Sequence, residues 1–383
     1  MSYPSVDTLQ RTLAEKVFHY AVDRKKASGR ALGTLIEIIT YYTLKSWGLR
    51  DSLAIERALP EFGNPDITHN VEYSLHPILN RRQHTLSEVA LPLTAAKLRK
   101  SLFADTAMPE ALAGKGNDLL SKDEVLRNAC VIGETADSLH VVNLDRAANR
   151  RYEIALTKLH RHPYAIFECK RVGVEEGMSK GPQTIEKAKQ GAYVARTVSS
   201  LQKIRLRDGR VGGVFHRSDG TLHHGPYEEL LEETVASDSP EILREFILTV
   251  GVVSNHGNWF DHETSSQNKE MKVLAQSYDW LLFLTDNGLS DFISELLLKP
   301  TPALAPAREA FLASYSGKSG KNRFTKVKMA LAADAILQTY FHEHAKRIEG
   351  WFNVITPRAG SLKILRNELT VLDAKNWAAI LAP

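Results

Sequence analysis

The chain has 383 residues, of which 43% are hydrophobic and 25% charged, a composition that excludes disorder over most of the chain. Lys and Arg total 49 against 45 Asp and Glu, and the resulting net charge of +4 selects no class of partner by itself. No apolar run reaches the ~18 residues that span a bilayer, and the N-terminus lacks the apolar stretch of a signal peptide. We therefore expect no membrane association and a cytoplasmic location, which the presence of only two cysteines also favours.

The first part of the chain, residues 1–128, is predicted to be mainly helical. Apolar residues recur at three- or four-residue spacing over 6–24 and again over 31–47, which predicts two helices. Residues 51–128 have a mixed pattern, with several helical stretches and a turn signal from Gly63 to Asp66.

The pattern changes near residue 129, and residues 129–290 are predicted to form a mixed α/β core. Short apolar runs predict buried strands, and longer periodic segments predict helices near 182–203 and 271–278. The predicted strands cover residues 129–133, 139–144, 151–159, 164–170, 246–253 and 280–284. Residues 291–383 are again mainly helical. The sequence thus predicts an α+β fold, with a mixed sheet flanked by helical segments on both sides.

Positive charge is concentrated in particular stretches of the chain. Residues 140–171 carry seven Lys and Arg against three acids, and residues 314–328 carry five basic residues and no acid. A phosphate-binding surface requires such local surpluses rather than a strongly basic whole. Each stretch is interpreted either as a solvated face or as a surface that contacts phosphates.

The most informative motif ends the apolar strand predicted at 164–170. Residues two apart in a strand point to the same face, so Glu168 and Lys170 emerge together after buried positions. Such charges are costly to bury unless they pair or serve a site. If 153–159 and 164–171 form a hairpin, Glu153 lies next to Glu168. Two carboxylates and a lysine would then form a site for Mg²⁺, which prefers oxygen ligands.

This arrangement resembles the PD-(D/E)xK nuclease superfamily, and in particular type II restriction endonucleases. The matching residues are Glu168 and Lys170 at the end of an apolar strand, an acid upstream and a helix downstream. The first acid of that family is usually Asp, often preceded by Pro. Here Glu153 is preferred because its spacing fits one tight hairpin, and Asp145 is the competing candidate.

The resemblance also implies two helper residues, and the place of Cys169 in the strand indicates one further metal ligand. Glu37, on the helix that precedes the core strands, would face the metal site. Gln190, on the helix that follows the motif, would turn toward the same site. The side chain of Cys169 should point to the core, while its backbone carbonyl could join Glu153 and Glu168 as a ligand of Mg²⁺.

The resemblance implies a Mg²⁺-dependent, sequence-specific endonuclease of double-stranded DNA. Lys170 would position or activate the water that attacks a phosphodiester. A palindromic target would favour a homodimer, because symmetric sites mirror symmetric proteins, and a cognate DNA methyltransferase is expected as a system partner. The alternatives are a same-fold nuclease that acts on repair intermediates, junctions or modified DNA, and a DNA-binding protein that has lost its chemistry.

Overall fold

The computed structural model describes residues 6–103, 116–172, 182–217, 219–255, 269–315 and 322–382. These residues form a mixed α/β fold with a mixed central sheet, which confirms the predicted α+β class. No helix within these ranges is long and apolar enough to cross a membrane.

The chain contains strands and helices throughout the described residues. The strands are β1 (Leu53–Glu61), β2 (Asn64–Leu75), β3 (Ile78–Leu86), β4 (Val125–Arg127), β5 (Cys130–Glu134), β6 (Ser138–Ala148), β7 (Arg151–His160), β8 (Ala165–Val172), β9 (Gln202–Arg205), β10 (Val211–His216), β11 (Leu222–Pro226), β12 (Leu248–Asn255), β13 (Trp280–Leu284), β14 (Lys328–Ala330) and β15 (Phe352–Thr356). The helices are α1 (Val6–Lys16), α2 (Arg24–Ser46), α3 (Ala95–Leu102), α4 (Pro182–Thr197), α5 (Tyr227–Ala236), α6 (Pro240–Leu243), α7 (Lys269–Ala275), α8 (Asp286–Ile293), α9 (Ala305–Tyr315), α10 (Leu331–Glu343), α11 (Ala345–Glu349), α12 (Leu362–Asp373) and α13 (Trp377–Ile380).

The central sheet has six strands in the order β1-β2-β8-β12-β13-β15. Strands β8, β12 and β13 are parallel, whereas β1, β2 and β15 join at the edges in antiparallel fashion. The middle strands come from the most apolar runs of the sequence, and all five residues of β13 are buried. Such continuous apolar strands are typical of parallel sheets that are covered on both faces.

A second, four-stranded antiparallel sheet has the order β3-β7-β6-β5. Only His76 and Pro77 separate β2 of the central sheet from β3 of the second sheet. The chain therefore passes directly from one sheet into the other at this point. Strands β9, β10 and β11 form a third, smaller sheet.

Several predicted elements differ from the observed ones. Residues 53–86 form three strands where mainly helical structure was expected, because the alternation of period two in β2 is strong only near its end. The helix predicted to continue to residue 203 ends at Thr197, and β9 begins at Gln202. The central sheet takes strands from each of the three predicted regions, 1–128, 129–290 and 291–383. That division into regions remains a prediction.

The hairpin expected between residues 153–159 and 164–171 is wrong. Strand β7 pairs with β3 and β6, whereas β8 pairs with β2 and β12. Both edges of each strand are already occupied, so β7 and β8 cannot pair although they are adjacent in the chain. They lie in different sheets.

Helices α2 and α4 pack on β8 from different sides of the central sheet. Phe167 and Cys169 belong to the large core cluster that includes the buried face of α2. Ile166 instead packs in a cluster with Val194 and Val198 of α4. Because side chains alternate along a strand, the even-numbered residues of β8 face the α4 side of the sheet.

A buried ion pair joins α2 to α10. The Asp334 carboxylate accepts hydrogen bonds from the Tyr42 hydroxyl at 2.7 Å and from Lys45 Nζ at 2.9 Å. The Lys45 and Asp334 side chains are only 7% and 4% exposed, and burial lowers the pKa of Lys45 despite the nearby Asp334. This pair fixes the helix that carries Glu37.

Replacing Asp334 with Ala should strongly destabilise the fold. The substitution leaves the Lys45 ammonium buried without its partner, and breaking a buried pair in this way costs roughly 3–5 kcal/mol. Urea denaturation followed by circular dichroism measures the change. Asp137→Ala, at an exposed turn, is the control and should shift the free energy of unfolding by less than about 0.5 kcal/mol. Equal effects of both substitutions would contradict the assigned role of the pair.

Candidate active site

Four carboxylates and two lysines converge where β8 leaves the buried part of the central sheet. They come from α2, β1, β2, β8 and the segment before β14, and ion pairs connect them into one cluster. The members of this carboxylate–lysine cluster are Glu37, Glu56, Glu72, Glu168, Lys170 and Lys326.

The cluster forms at a point where two strands separate. Pairing between β2 and β8 ends at Tyr73 and Phe167, so Glu72 and Glu168 occupy the next positions in the register. There the Glu72 side chain replaces the missing strand, because its Oε2 accepts a hydrogen bond from the Cys169 N–H at 3.1 Å. The sheet therefore opens with its backbone donor satisfied, and the two carboxylates lie side by side.

Glu168 is the most buried carboxylate of the cluster. Its side chain is 2% exposed, and Lys170 Nζ lies 3.1 Å from its Oε2 and 3.4 Å from Glu72 Oε2. The other oxygen, Glu168 Oε1, is buried without any hydrogen-bond partner. An unsatisfied buried polar atom costs about 1–3 kcal/mol, so Oε1 marks a position where a ligand would be stabilising.

Lys326 closes the other side of the cluster. Its Nζ lies 3.2 Å from Glu72 Oε1, 3.4 Å from Glu56 Oε1 and 3.5 Å from Glu37 Oε1. The Lys326 side chain is 9% exposed. Burial opposes its charge, but the three carboxylates prevail and raise the pKa of Lys326.

The carboxylates of the cluster differ in their protonation. Burial raises the pKa of Glu37 to about 7, against the opposing effect of Lys326. Burial likewise raises the pKa of Glu168 to about 7, although Lys170 acts in the opposite direction. Glu72 is also buried, but Lys170 and Lys326 flank it and lower its pKa below the usual value. Burial opposes the charge of Lys170, but Glu168 and Glu72 raise its pKa, so it is an ammonium group at neutral pH.

The structure brings together three of the residues predicted from the sequence. Glu168 and Lys170 contact each other directly, and Glu37 joins them through Lys326 and Glu72. The Cys169 side chain points to the opposite, buried face, where its Sγ lies 3.5 Å from Thr40 Oγ1. In an extended strand the N–H and C=O of one residue point to the same side. The Cys169 carbonyl therefore faces the opening beside Glu72.

Neither candidate for the upstream acid lies in the cluster. Glu153 is on β7 of the second sheet, opposite Thr85 and Arg146, with its side chain 40% exposed and 3.9 Å from Arg151 Nε. Asp145, on β6, forms an ion pair with Arg50. The placement of Glu153 beside Glu168 is wrong because it depended on a hairpin that does not form.

Gln190 lies on α4 with an exposed side chain. The next residue, Gly191, packs tightly on the site: a Cβ there would lie 3.5 Å from Lys170 Cε and 2.7 Å from the Tyr278 hydroxyl oxygen. Glycine thus allows α4 to approach the Lys170 side chain closely. The helper role of Gln190 remains a prediction.

The sequence prediction missed Glu56, Glu72 and Lys326. A signal for Glu72 exists, because the buried residues Val71, Tyr73 and Leu75 alternate around it after the turn signal near Gly63. Lys326 has no comparable local signal beyond its place in the basic stretch 314–328. Residues 316–321 of that stretch lie outside the described residues.

The donor groups of the site fit a hard divalent cation with few protein ligands. Among the described residues, no three His, Cys, Asp or Glu side chains are arranged to hold a metal ion. Mg²⁺, however, is commonly bound by one or two carboxylates together with water and substrate phosphates. Glu72 and Glu168, with the free Oε1 of Glu168 and the Cys169 carbonyl nearby, fit this requirement.

No family model, no curated protein and no solved structure matches the chain.

Without metal, the raised pKa of Glu168 should make the protein less stable as pH rises. The folded state holds a proton on Glu168 up to a pKa of about 7, above the ordinary glutamate value of 4.5. Folding is thus favoured below that window and loses this contribution as pH rises through it. Urea denaturation in EDTA at about pH 5 and about pH 7.5 should show a larger loss for the native protein than for Glu168→Gln. Equal losses in the two proteins would contradict the assignment.

Proposed function

We propose that the protein is a Mg²⁺-dependent endonuclease of double-stranded DNA, with a PD-(D/E)xK-like core and the activity of a type II restriction enzyme. The observation that carries this proposal is the unpartnered Oε1 of Glu168. It lies beside a second carboxylate, Glu72, and a lysine ammonium at the open end of a sheet. A cytoplasmic location belongs to the same proposal.

Glu72 and Glu168 would hold Mg²⁺, with the Cys169 carbonyl as the third protein ligand. When bound, the ion supplies positive charge beside the scissile phosphate. Glu72 thereby takes the role that the sequence pattern gave to Glu153. Lys170 Nζ lies 3.1 Å from Glu168 Oε2 and 3.4 Å from Glu72 Oε2, so the lysine borders this ligand set.

Lys170 is suited to orient a nucleophilic water and to stabilise negative charge. Its ammonium donates hydrogen bonds and cannot accept a proton. The carboxylates that flank it favour this charged form. We therefore assign the positioning of the attacking water to Lys170.

The second sheet offers a surface for DNA phosphates. Exposed basic side chains lie on β3 and on the β6–β7 hairpin, whose tip is the left-handed pair Asn149–Arg150. Backbone phosphates attract such side chains regardless of base sequence. The exposed basic residues of this sheet are Arg81, Arg82, Arg146, Arg150, Arg151 and Lys158.

The proposal extends to assembly and to a system partner. Cleavage of both strands at a palindromic site would be served by two copies of the chain related by two-fold symmetry. We therefore propose a homodimer on DNA. A cognate DNA methyltransferase, which would protect the same sites, is proposed as the system partner.

Cleavage should require both Mg²⁺ and the carboxylate–lysine cluster. Plasmid DNA of known sequence is incubated with the protein in Mg²⁺ or in EDTA, and the fragment ends are mapped. Discrete fragments should form only with Mg²⁺. Glu72→Gln, Glu168→Gln and Lys170→Ala should each lower the cleavage rate by about 10²–10⁴-fold, the usual contribution of groups that act on the reacting atoms.

Glu153→Gln is the matched control, because this glutamate lies outside the cluster, 3.9 Å from Arg151 Nε on the second sheet. Its replacement removes no proposed metal ligand and no positive charge, so it should not lower the cleavage rate. If Glu72→Gln retained full activity, the site assignment would be wrong. Cleavage restricted to methylated or branched substrates would indicate the modification-dependent or junction nuclease. Metal-independent DNA binding without any cleavage would indicate a non-catalytic DNA-binding protein.

DNA binding should depend on the β6–β7 hairpin. The double variant Arg150→Ala, Arg151→Ala should bind DNA more weakly, because two contacts with phosphates are lost. Each lost contact should also reduce the magnitude of the slope of log K against log salt by about 0.9. Fluorescence anisotropy over a range of salt concentrations measures both quantities. Lys363→Ala is the control: this exposed lysine lies on α12, which packs against the acidic helix α5. An unchanged slope in the double variant would show that DNA binds elsewhere.

A further inference from the structure

We infer that Lys326 occupies the second cation position of this site, so that the protein binds one divalent cation and not two. The inference rests on the proposed metal-dependent nuclease and specifies how its centre is charged. Lys326, Glu37 and Glu56 belong to the cluster but are not among the proposed ligands of Mg²⁺. The inference gives these three residues a role.

The geometry around Lys326 is that of a cation among oxygen ligands. An ammonium group has three N–H donors, and here three carboxylates offer one oxygen each, at 3.2, 3.4 and 3.5 Å from Nζ. These carboxylates come from three different elements, α2, β1 and β2. With Lys326 in place these three oxygens lie at ion-pair distance from the ammonium and are not arranged to hold a metal ion. A divalent cation in place of the ammonium would have to draw them in to about 2.0–2.6 Å.

Glu72 connects the two cation positions. Its Oε2 faces the Cys169 N–H and Lys170, beside Glu168, whereas its Oε1 faces Lys326. A carboxylate shared in this way is suited to two-metal centres, in which the ions lie about 3.5–4 Å apart. In this chain the ammonium group of Lys326 occupies one of the two positions.

The segment that carries Lys326 is held in place by contacts within the protein. Phe324 and Met329 are fully buried on either side of it. Asn128 holds the backbone between them: its side-chain amide donates to the Lys326 carbonyl at 2.9 Å, and its N–H donates to the Val327 carbonyl at 2.9 Å. The buried neighbours and the hydrogen bonds of Asn128 therefore fix the backbone from which the Lys326 side chain extends to the carboxylates.

A lysine in this position has a chemical consequence. Its charge is present at every Mg²⁺ concentration, so only the ion at Glu72 and Glu168 must be recruited from solution. Removing the side chain would leave the carboxylates of Glu37, Glu56 and Glu72 facing an open position. A second divalent cation should then bind there.

The experiment counts bound Mn²⁺ by electron paramagnetic resonance, in the full-length native protein and in variants at position 326. Native protein should bind one Mn²⁺ per chain with the spectrum of an isolated ion. Lys326→Ala should bind two, with the broadening that results from two spins about 3.5–4 Å apart. Lys326→Gln, which keeps a neutral donor toward the carboxylates, should also bind a second ion and serves if the Ala variant does not fold.

Two control variants accompany these. One keeps a positive charge at position 326, and the other removes a lysine that lies outside the cluster. Lys326→Arg retains a cation and should bind one Mn²⁺. Lys328→Ala removes an exposed lysine two residues away and should also bind one. Circular dichroism in EDTA confirms that each variant is folded before the titration.

The outcomes separate this inference from the function on which it rests. Two ions in the native protein, or a single ion in both Lys326→Ala and Lys326→Gln, would overturn the role of Lys326 while leaving a metal-dependent nuclease in place. Two ions without spin coupling in the variants would overturn it as well, because the second ion would then lie elsewhere. If the native protein bound no Mn²⁺, the proposed function itself would fail, and the inference with it.

Discussion

The hydrogen bond from the Cys169 N–H to the Glu72 carboxylate is the interaction on which the site depends. A buried backbone donor must find an acceptor, and at this position β2 no longer supplies a carbonyl. The Glu72 side chain supplies the acceptor, so β8 can continue past the end of its pairing with β2. The same bond holds the carboxylate of Glu72 beside that of Glu168. One polar contact thus satisfies the backbone donor at the open edge of β8 and holds the two acids side by side.

Placing these acids together creates an electrostatic problem that the rest of the fold answers. Four carboxylates face only two ammonium groups, and most of them are shielded from water. Burial raises the pKa of Glu37 and the pKa of Glu168 to about 7, against the opposing effect of the lysines. Lys170 and Lys326 offset part of this effect, one from each side of Glu72. The remaining negative charge gives the site its attraction for a cation.

The sequence was sufficient for the local features of the site and insufficient for its long-range ones. Strand β8 and the pairing of Glu168 with Lys170 follow from an apolar run that ends in alternating charges. Helix α2 follows from its helical periodicity, so Glu37 could be placed on it. The upstream acid could not be found this way, since Glu72 lies 97 positions before its partner Cys169. Local spacing favoured Glu153, but the choice of strand partner depends on which edges other strands occupy.

The position of Lys326 was even less predictable from local sequence than that of Glu72. A lysine in a basic, polar stretch is usually solvated, and nothing in the neighbouring residues predicts that it is buried. Its position follows from Phe324 and Met329, which anchor its segment in the core, and from Asn128, which holds the backbone. The contact of Asn128 with the Lys326 carbonyl joins residues 198 positions apart in the chain. Only the folded arrangement reveals them.

The order of the residues along the chain has a consequence for biosynthesis. Glu72 leaves the ribosome 254 residues before Lys326, the ammonium that shares its carboxylate. Until the last third of the protein is translated, the nascent chain carries the acids of the site without this neutralising partner. A nascent chain that ends before residue 326 therefore lacks the ammonium group that pairs with the Glu72 carboxylate, whereas a longer chain contains it. The ion pairs of Glu72 are therefore complete only after residue 326 has been synthesised.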